Sequence, residues 1–277
     1  MIVETSDVAS IVFPAHLQEA LAIALRKKPK AADELNREIQ ALRIQHRTRY
    51  AEREIDYDQL VHAFTYKYFA ANYIANRALL DRCACPALSE ARTFFDIGSG
   101  SGASLLAHLD YLHGAIADHH RVTAVGFDRS GGQLEMARSI IGGLDPLVAP
   151  YASNINLFTE DMVQPLGVGS KPFLNPDGRP WVIMSFFLGE LRKREADAIV
   201  TMVLELVKSG DCLGATIVET TDRLLDSLLE NIDVSDFRVC RQRLDGVRVQ
   251  QVISHAAAGA EEPKSIVRAH GLTISRR

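Results

Sequence analysis

The sequence predicts an α/β fold. A doubly wound, mostly parallel sheet of seven strands is expected to close in an antiparallel C-terminal hairpin and to follow an N-terminal helical lid. Three observations carry this expectation. From about residue 92, short apolar runs alternate with helical periodicity, which means a parallel sheet covered by helices on both faces. The first of these runs ends in a glycine-rich turn that opens a helix. Before residue 90 the spacing is helical throughout, so the chain divides into a helical region, 1–90, and an α/β region, 91–277.

Each element follows from local pattern. Leu17, Ala20, Leu21, Ala24 and Leu25, then Leu35, Ile39 and Leu42, recur at helical spacing, and Pro29 splits this stretch into two helices. The run Arg26, Lys27, Lys28, Lys30 reads as a solvated helix end. Residues 58–82 form a third helix, in which Phe64/Tyr68 and Phe69/Tyr73 are i,i+4 pairs sharing a face. Pro86 and Ser89 mark the turn after it. Strands follow at Thr93–Ile97, Val122–Phe127, Ile155–Thr159, Trp181–Phe187 and Leu213–Glu219. Helices are expected through Leu105–Leu112 and over about 132–142, 190–208 and 222–232. A Pro/Gly-rich loop spans 164–180. Phe237–Leu244 and Val247–Ser254 alternate polar and apolar around Asp245-Gly246, which signals a hairpin turn there.

Composition excludes whole classes. Charged residues are 24 % and hydrophobic ones 47 %, ordinary for a globular chain and wrong for disorder or fibres. The net charge of −4 lacks the basic excess that phosphate neutralisation favours, so nucleic acid is not the expected partner. Four cysteines do not make a disulfide scaffold at this length, and Cys83-x-Cys85 lacks the second pair of a zinc site, so no metal is expected. No apolar run approaches a membrane span, and MIVETSDVAS lacks the basic and apolar regions of a signal peptide. A cytoplasmic protein is expected. His119-His120 reads as surface.

The most informative stretch is Phe94-Phe95-Asp96-Ile97-Gly98-Ser99-Gly100-Ser101-Gly102. Glycines there permit positive φ and close approach to a ligand at the carboxyl end of a strand. Gly98 to Ala103 also satisfies the dinucleotide fingerprint. Two carboxylates separate the readings. Asp128, ending the second strand, suits paired ribose hydroxyls, or the cap of the next helix. Asp96, ending the first, would crowd a pyrophosphate but accepts a hydrogen bond from water or an ammonium group.

Asp-Ile-Gly-Ser-Gly-Ser-Gly followed by Gly-Phe-Asp resembles motifs I and II of class I S-adenosylmethionine-dependent methyltransferases. The resemblance covers about 92–255 and implies a Rossmann-like domain. It implies that Gly98, Ser99, Gly100 and Gly102 pack against the methionine part of the cofactor and that Asp96 binds its amino group. Asp128, with Arg129 beside it, would hold the ribose. Asp161 and Met162, after the third strand, would take the adenine amine and ring, although Asp161 also suits a plain turn. The fourth strand ends Ser185-Phe186-Phe187-Leu188-Gly189-Glu190-Leu191, where the family brings methyl group and acceptor together; Ser185 and Phe186 would touch the cofactor and Phe187 the acceptor. The Asn/Asp-Pro-Pro-Tyr/Phe pattern of nucleobase amine methyltransferases is absent. Leu188-Gly189-Glu190-Leu191 and Tyr68-Phe69-Ala70-Ala71-Asn72-Tyr73 are similar to the methyltransferase-like proteins of the small ribosomal subunit. The cysteine set of the mitochondrial members is missing after Cys240.

Methyl transfer from a sulfonium requires alignment and exclusion of water more than acid–base chemistry. Glu190 is the candidate catalytic residue, as base or as partner of a cationic acceptor; it also suits a first-turn helix glutamate. Phe64, Tyr66, Tyr68 and Tyr73 are the candidates to shape the acceptor pocket, or else to pack as core. The expected function is methyl transfer from S-adenosylmethionine, leaving S-adenosylhomocysteine, to an N or O atom of a small molecule or short peptide, in a biosynthetic pathway. The alternatives are an RNA or ribosome methyltransferase, a non-catalytic methyltransferase-like binding protein, and an NAD-dependent oxidoreductase. Acceptor and oligomeric state are open.

Overall fold

Alternate residues of the central strands feed two cores, one on each face of the sheet. Trp181 and Ile183 join the core formed with the N-terminal helices, while Val182 and Met184 join a second core on the opposite face. The structure, a computed structural model, describes residues 11–27, 29–48, 56–83, 85–115, 122–159, 179–230, 235–250, 260, 262–264 and 266–277. Among these the helices are α1 (Ala15–Arg26), α2 (Ala32–Thr48), α3 (Tyr57–Arg82), α4 (Pro86–Glu90), α5 (Ala103–Ala115), α6 (Gly131–Ile141), α7 (Lys193–Ser209) and α8 (Asp222–Glu230). The strands are β1 (Ile11–Val12), β2 (Thr93–Ile97), β3 (Thr123–Asp128), β4 (Ile155–Thr159), β5 (Trp181–Ser185), β6 (Gly214–Glu219), β7 (Phe237–Gln250) and β8 (Ile266–Arg276).

The sheet order is β1-β7-β8-β6-β5-β2-β3-β4. The strands β4, β3, β2, β5 and β6 run parallel, and β8 is antiparallel to both β6 and β7. This is the expected doubly wound, Rossmann-like sheet. Two-residue β1 extends it by one strand, pairing parallel with β7. The chain leaves β2 towards β3 on one side and returns to β5 on the other. A crevice therefore opens at the carboxyl ends of β2 and β5, where ligands bind in such sheets.

Several sequence expectations change: the turn expected around Pro86 and Ser89 is the short helix α4, with proline at its start where no amide is needed, and β8 was not expected. Asp245-Gly246 is not a hairpin turn: β7 continues through it as one 14-residue strand. The pairing with β8 shifts register between Asp245 and Val247, and Gly246 sits at φ 75°. Glycine here supplies the positive φ of a β-bulge, which bends the strand without reversing it. The antiparallel pair is β7 with β8, joined through 251–265. The expected strand end at 251–254 lies outside the described residues, as do His119 and His120. The helix expected from about 190 starts at Lys193, because a separate 3₁₀ turn, Leu188–Glu190, precedes it.

Helix α3 spans the N-terminal region and the sheet. Its residues Phe69, Ile74, Leu79 and Leu80 are fully buried in the same core as Phe94 and Trp181. At its carboxyl end Cys83 is joined by a disulfide to Cys240 of β7, 157 residues away. Cysteine counting did not read this pairing. Cys85 and Cys212 are free thiols.

Candidate functional site

The loop after β2 is held by backbone. The amides of Gly98 and Ser99 both donate to the carbonyl of Phe127 at 2.9 Å, and Gly102 N donates to Ser99 O at 2.9 Å. Gly98 and Gly100 lie at φ 72° and 54°, in the left-handed region. A Cβ on Gly98 would stand 2.4 Å from Phe187 Cδ2, so no other residue fits without displacing that ring. Asp128 clamps this loop: Oδ2 accepts from Gly100 N and Oδ1 from Ser130 N, each at 2.8 Å. Its carboxyl is raised above the ordinary value by burial, against those two amides. The helix cap is Ser130, whose hydroxyl accepts from Gln133 N at 3.1 Å. Asp128 is thereby released from the capping role that the sequence also allowed.

Asp96 lies behind the loop, fully buried. Ser104 Oγ donates to Oδ2 at 2.6 Å. Oδ1 makes no well-aligned hydrogen bond among the described residues. Burial pushes this carboxyl up to about 7; the hydroxyls of Ser104 and Ser99 pull the other way. A fully buried carboxylate oxygen with unspent acceptor capacity invites a donor from a ligand.

A cavity of about 300 Å³ opens at this point. Of the sequence candidates, Gly98, Ser99, Gly100, Asp128 and Arg129 line it on one side, with Ser185, Phe186 and Phe187 from the end of β5. Asp96 and Gly102 stand behind that lining. Phe186 is the one non-glycine residue at positive φ (56°) among the described residues, and its amide donates to Val218 O at 2.7 Å. Strain of this kind gathers at functional sites.

The opposite wall comes from α3. Phe64 and Tyr68 line the cavity, their rings 5.4 Å apart. Tyr66 and Tyr73 do not. The positions 57, 64, 68 and 72 fall on one face of the helix, whereas 66 and 73, seven apart, fall on another. Tyr73 is spent on the core: its hydroxyl donates to Asp110 Oδ2 at 2.8 Å, and burial raises its pKa. Asp161 and Met162 lie outside the described residues.

Glu190 lines the cavity from the 3₁₀ turn. It is therefore not in the first turn of α7, where Arg192 N donates instead to Glu195 Oε2 at 2.9 Å. The hydroxyl of Tyr57 donates to Glu190 Oε1. The turn itself is fastened by Glu219, the last residue of β6. Glu219 Oε1 accepts from Leu188 N at 2.8 Å and Gly189 N at 3.3 Å. Burial pushes the Glu219 carboxyl up to about 7, opposed by those amides and reinforced by the charge of Glu190.

Sequence reading missed Tyr57, Asn72, Glu219 and Lys264, all of which line the cavity. Glu219 had a usable signal, a carboxylate ending an otherwise apolar parallel strand, the same rule that singled out Asp96 and Asp128. Lys264 had none, since only the tertiary fold brings it here.

No family model matches the chain, and no curated protein matches it. Solved structures are similar in fold. A plantazolicin methyltransferase in complex with a triazolic desmethyl analogue and SAH has a TM-score of 0.46 at 12 % identity, covering 89 % of this chain and 100 % of that one. The precorrin-6y C5,15-methyltransferase from Geobacter metallireducens GS-15 has 0.43 at 13 %, covering 72 % and 87 %. The magnesium protoporphyrin IX methyltransferase from Synechocystis PCC 6803, with bound SAM, has 0.40 at 12 %, covering 83 % and 89 %. These are distant likenesses of fold, and the function of this chain has to be read from its own site.

Proposed function

We propose that this chain is an S-adenosylmethionine-dependent methyltransferase of class I, acting on an N or O atom of a small molecule or short peptide. The observation that carries the reading is Asp96: a fully buried carboxylate at the switch point, one oxygen without a well-aligned hydrogen bond among the described residues, behind a glycine loop anchored to Asp128. A pyrophosphate would meet two carboxylates there, and burying like charges together is costly. A ligand with an ammonium group and a ribose satisfies both. The residues present thus fit the sulfonium cofactor. When bound, it supplies an electrophilic methyl group.

The chain's own residues then divide the work. Asp96 takes the ammonium, directly or through water. Asp128 offers its remaining lone pairs to the ribose hydroxyls. Asp161 and Met162 keep the adenine role that the resemblance implies. Phe64, Tyr68 and Phe187 exclude water around the acceptor, and alignment at near-attack distance supplies most of the rate. Glu190 holds or removes the acceptor's proton, its carboxylate oriented by Tyr57 and its turn held by Glu219. Residues 1–90 act as a lid in this reading, with α3 as its inner wall. A biosynthetic role completes the proposal.

Isothermal titration tests the assignment. S-adenosylmethionine and S-adenosylhomocysteine are expected to bind and NAD is not; binding of NAD alone overturns the reading. Asp128→Ala should weaken S-adenosylhomocysteine by about 1–3 kcal/mol, roughly 5- to 150-fold. An unchanged affinity removes Asp128 from the ribose role.

A further inference from the structure

Lys264 lines the cavity beside Tyr68, its Nζ 5.8 Å from the centre of that ring. Among the described residues it has no ion-pair partner. Its backbone is fixed: Lys264 N donates to Lys67 O at 3.0 Å, and Lys67 Nζ donates to Glu262 O at 2.6 Å, clasping 262–264 onto α3. Two lysines are thereby held side by side. Burial, and then the charge of Lys67, lower the Lys264 pKa below its ordinary value. A desolvated ammonium facing a cavity, with a like charge next to it, is stabilised by an anion entering from that cavity.

The wall leading away from Lys264 is aromatic. Tyr68 and Phe64 have ring centres 5.4 Å apart, and Phe64 and Tyr57 5.2 Å apart, edge to face. At the far end Tyr57 donates to Glu190. The cavity wall therefore runs from a cation, along aromatic rings, to a carboxylate. The carboxylates that share the cavity, Asp128, Glu190 and Glu219, lie at strand ends or on the β5–α7 turn; of the two cations that line it, Arg129 stands beside Asp128 and lowers its pKa against the rise from burial, whereas Lys264 stands at the end of the aromatic wall.

We infer that the methyl acceptor is a planar aromatic acid, its anionic group on Lys264, its ring against Phe64 and Tyr68, and its hydroxyl or amine presented to Glu190. This rests on the methyltransferase reading only for naming the ligand an acceptor; the anion subsite stands on Lys264 and the aromatic wall. The carboxylate oxygens accept from the ammonium, no bond is made or broken at that end, and the aromatic face receives the ring by edge-to-face or offset contact.

The probes are 4-hydroxybenzoate, its methyl ester and trans-4-hydroxycyclohexanecarboxylate, titrated with and without saturating S-adenosylhomocysteine. The aromatic acid is expected to bind roughly tenfold more tightly than either comparison compound, since the ester loses the charge contact with Lys264 and the cyclohexane acid loses the ring contact. Lys264→Met should bring acid and ester to equal affinity with S-adenosylhomocysteine binding unchanged, and Lys264→Arg should restore the preference. An ester bound as tightly as the acid by the wild-type protein, or no measurable binding of either, overturns the inference, and that comparison stands even if Lys264→Met does not fold. A wild-type acid preference that survives Lys264→Met overturns it as well. S-adenosylhomocysteine binding without acid preference sinks the acceptor class alone; acid preference without S-adenosylhomocysteine binding sinks the cofactor reading alone.

Discussion

The two ends of the cavity are made of different material. At the glycine-loop end the contacts are backbone amides and carbonyls closed over a short stretch: Gly98, Ser99 and Gly102 bond within the loop or to Phe127, and Asp128 returns to Gly100. At the end walled by α3 the contacts are side chains from remote positions: Tyr57 meets Glu190 across 133 residues, and Lys264 meets Tyr68. The first construction fixes the loop's shape, because amide geometry cannot vary with side-chain identity. The second can change its ligand by changing a few side chains while the fold stays in place, which is how one fold serves many reactions.

This contrast can be broken experimentally, starting with stability. The Cys83–Cys240 disulfide ties the carboxyl end of α3, the helix carrying the aromatic cavity wall, to β7. Reduction, or Cys240→Ser, should lower unfolding stability by about 2–5 kcal/mol, because a cross-link over so long a loop restricts the unfolded chain. S-adenosylhomocysteine affinity of the folded protein should stay within about twofold, an order-of-magnitude expectation for a site whose hydrogen bonds are remote from the bond. Denaturant melts with and without reductant measure the first effect and titration the second. A large loss of cofactor affinity would show that the glycine-loop end depends on α3 after all.

Next come the glycines. Gly98→Val should abolish S-adenosylhomocysteine binding or weaken it by roughly 100-fold or more, because Phe187 must move and φ 72° is strained for a β-branched residue. Gly100→Ala meets nothing within 4 Å and should cost only the left-handed penalty, about 1–2 kcal/mol. Equal effects at the two positions would mean that conformation, not close packing against Phe187, governs the loop.

A graded effect is expected from pH. Burial raises Asp96 in the folded protein from 3.8 to about 7. Between those values the native state holds a proton that the unfolded chain has released, so this group's contribution to stability is present at low pH and lost as pH rises through about 7. Glu219, also at about 7, adds in the same direction. An ammonium-bearing ligand needs Asp96 ionised, so its affinity should rise by up to about tenfold per pH unit below 7 and level off above. Titrations of S-adenosylhomocysteine from pH 5.5 to 8 check this, with Asp96→Asn expected to flatten the profile.

The contrast also explains which parts were legible in advance. A strand that ends in Gly-Ser-Gly-Ser-Gly must turn where it does, since those positive φ values are affordable only to glycine, and Asp128 follows because a strand end is its own landmark. The i,i+4 pair Phe64/Tyr68 was equally readable. Choosing between that face and the face bearing Tyr66 and Tyr73 was not, for both are aromatic and only the neighbours of α3 tell cavity from core. Asp245-Gly246 misled for a related reason: a positive φ serves a two-residue turn and a bulge equally, and the continued pairing of Leu244 with Ala269 and Val247 with Val267 decides for the bulge.

By itself the sequence determined the alternation of strands and helices from β2 to α8, the glycine loop and the carboxylates Asp96 and Asp128, because these depend on backbone preferences and on periodicity within a few residues, while β1, the short helix α4 and β8 were not read from it. Tertiary structure alone decided that Cys83 reaches Cys240, that Glu219 fastens the turn carrying Glu190, and that Lys264 stands at the end of an aromatic wall. Those are meetings of distant segments, and side-chain convergence is set by how whole elements pack rather than by any local preference.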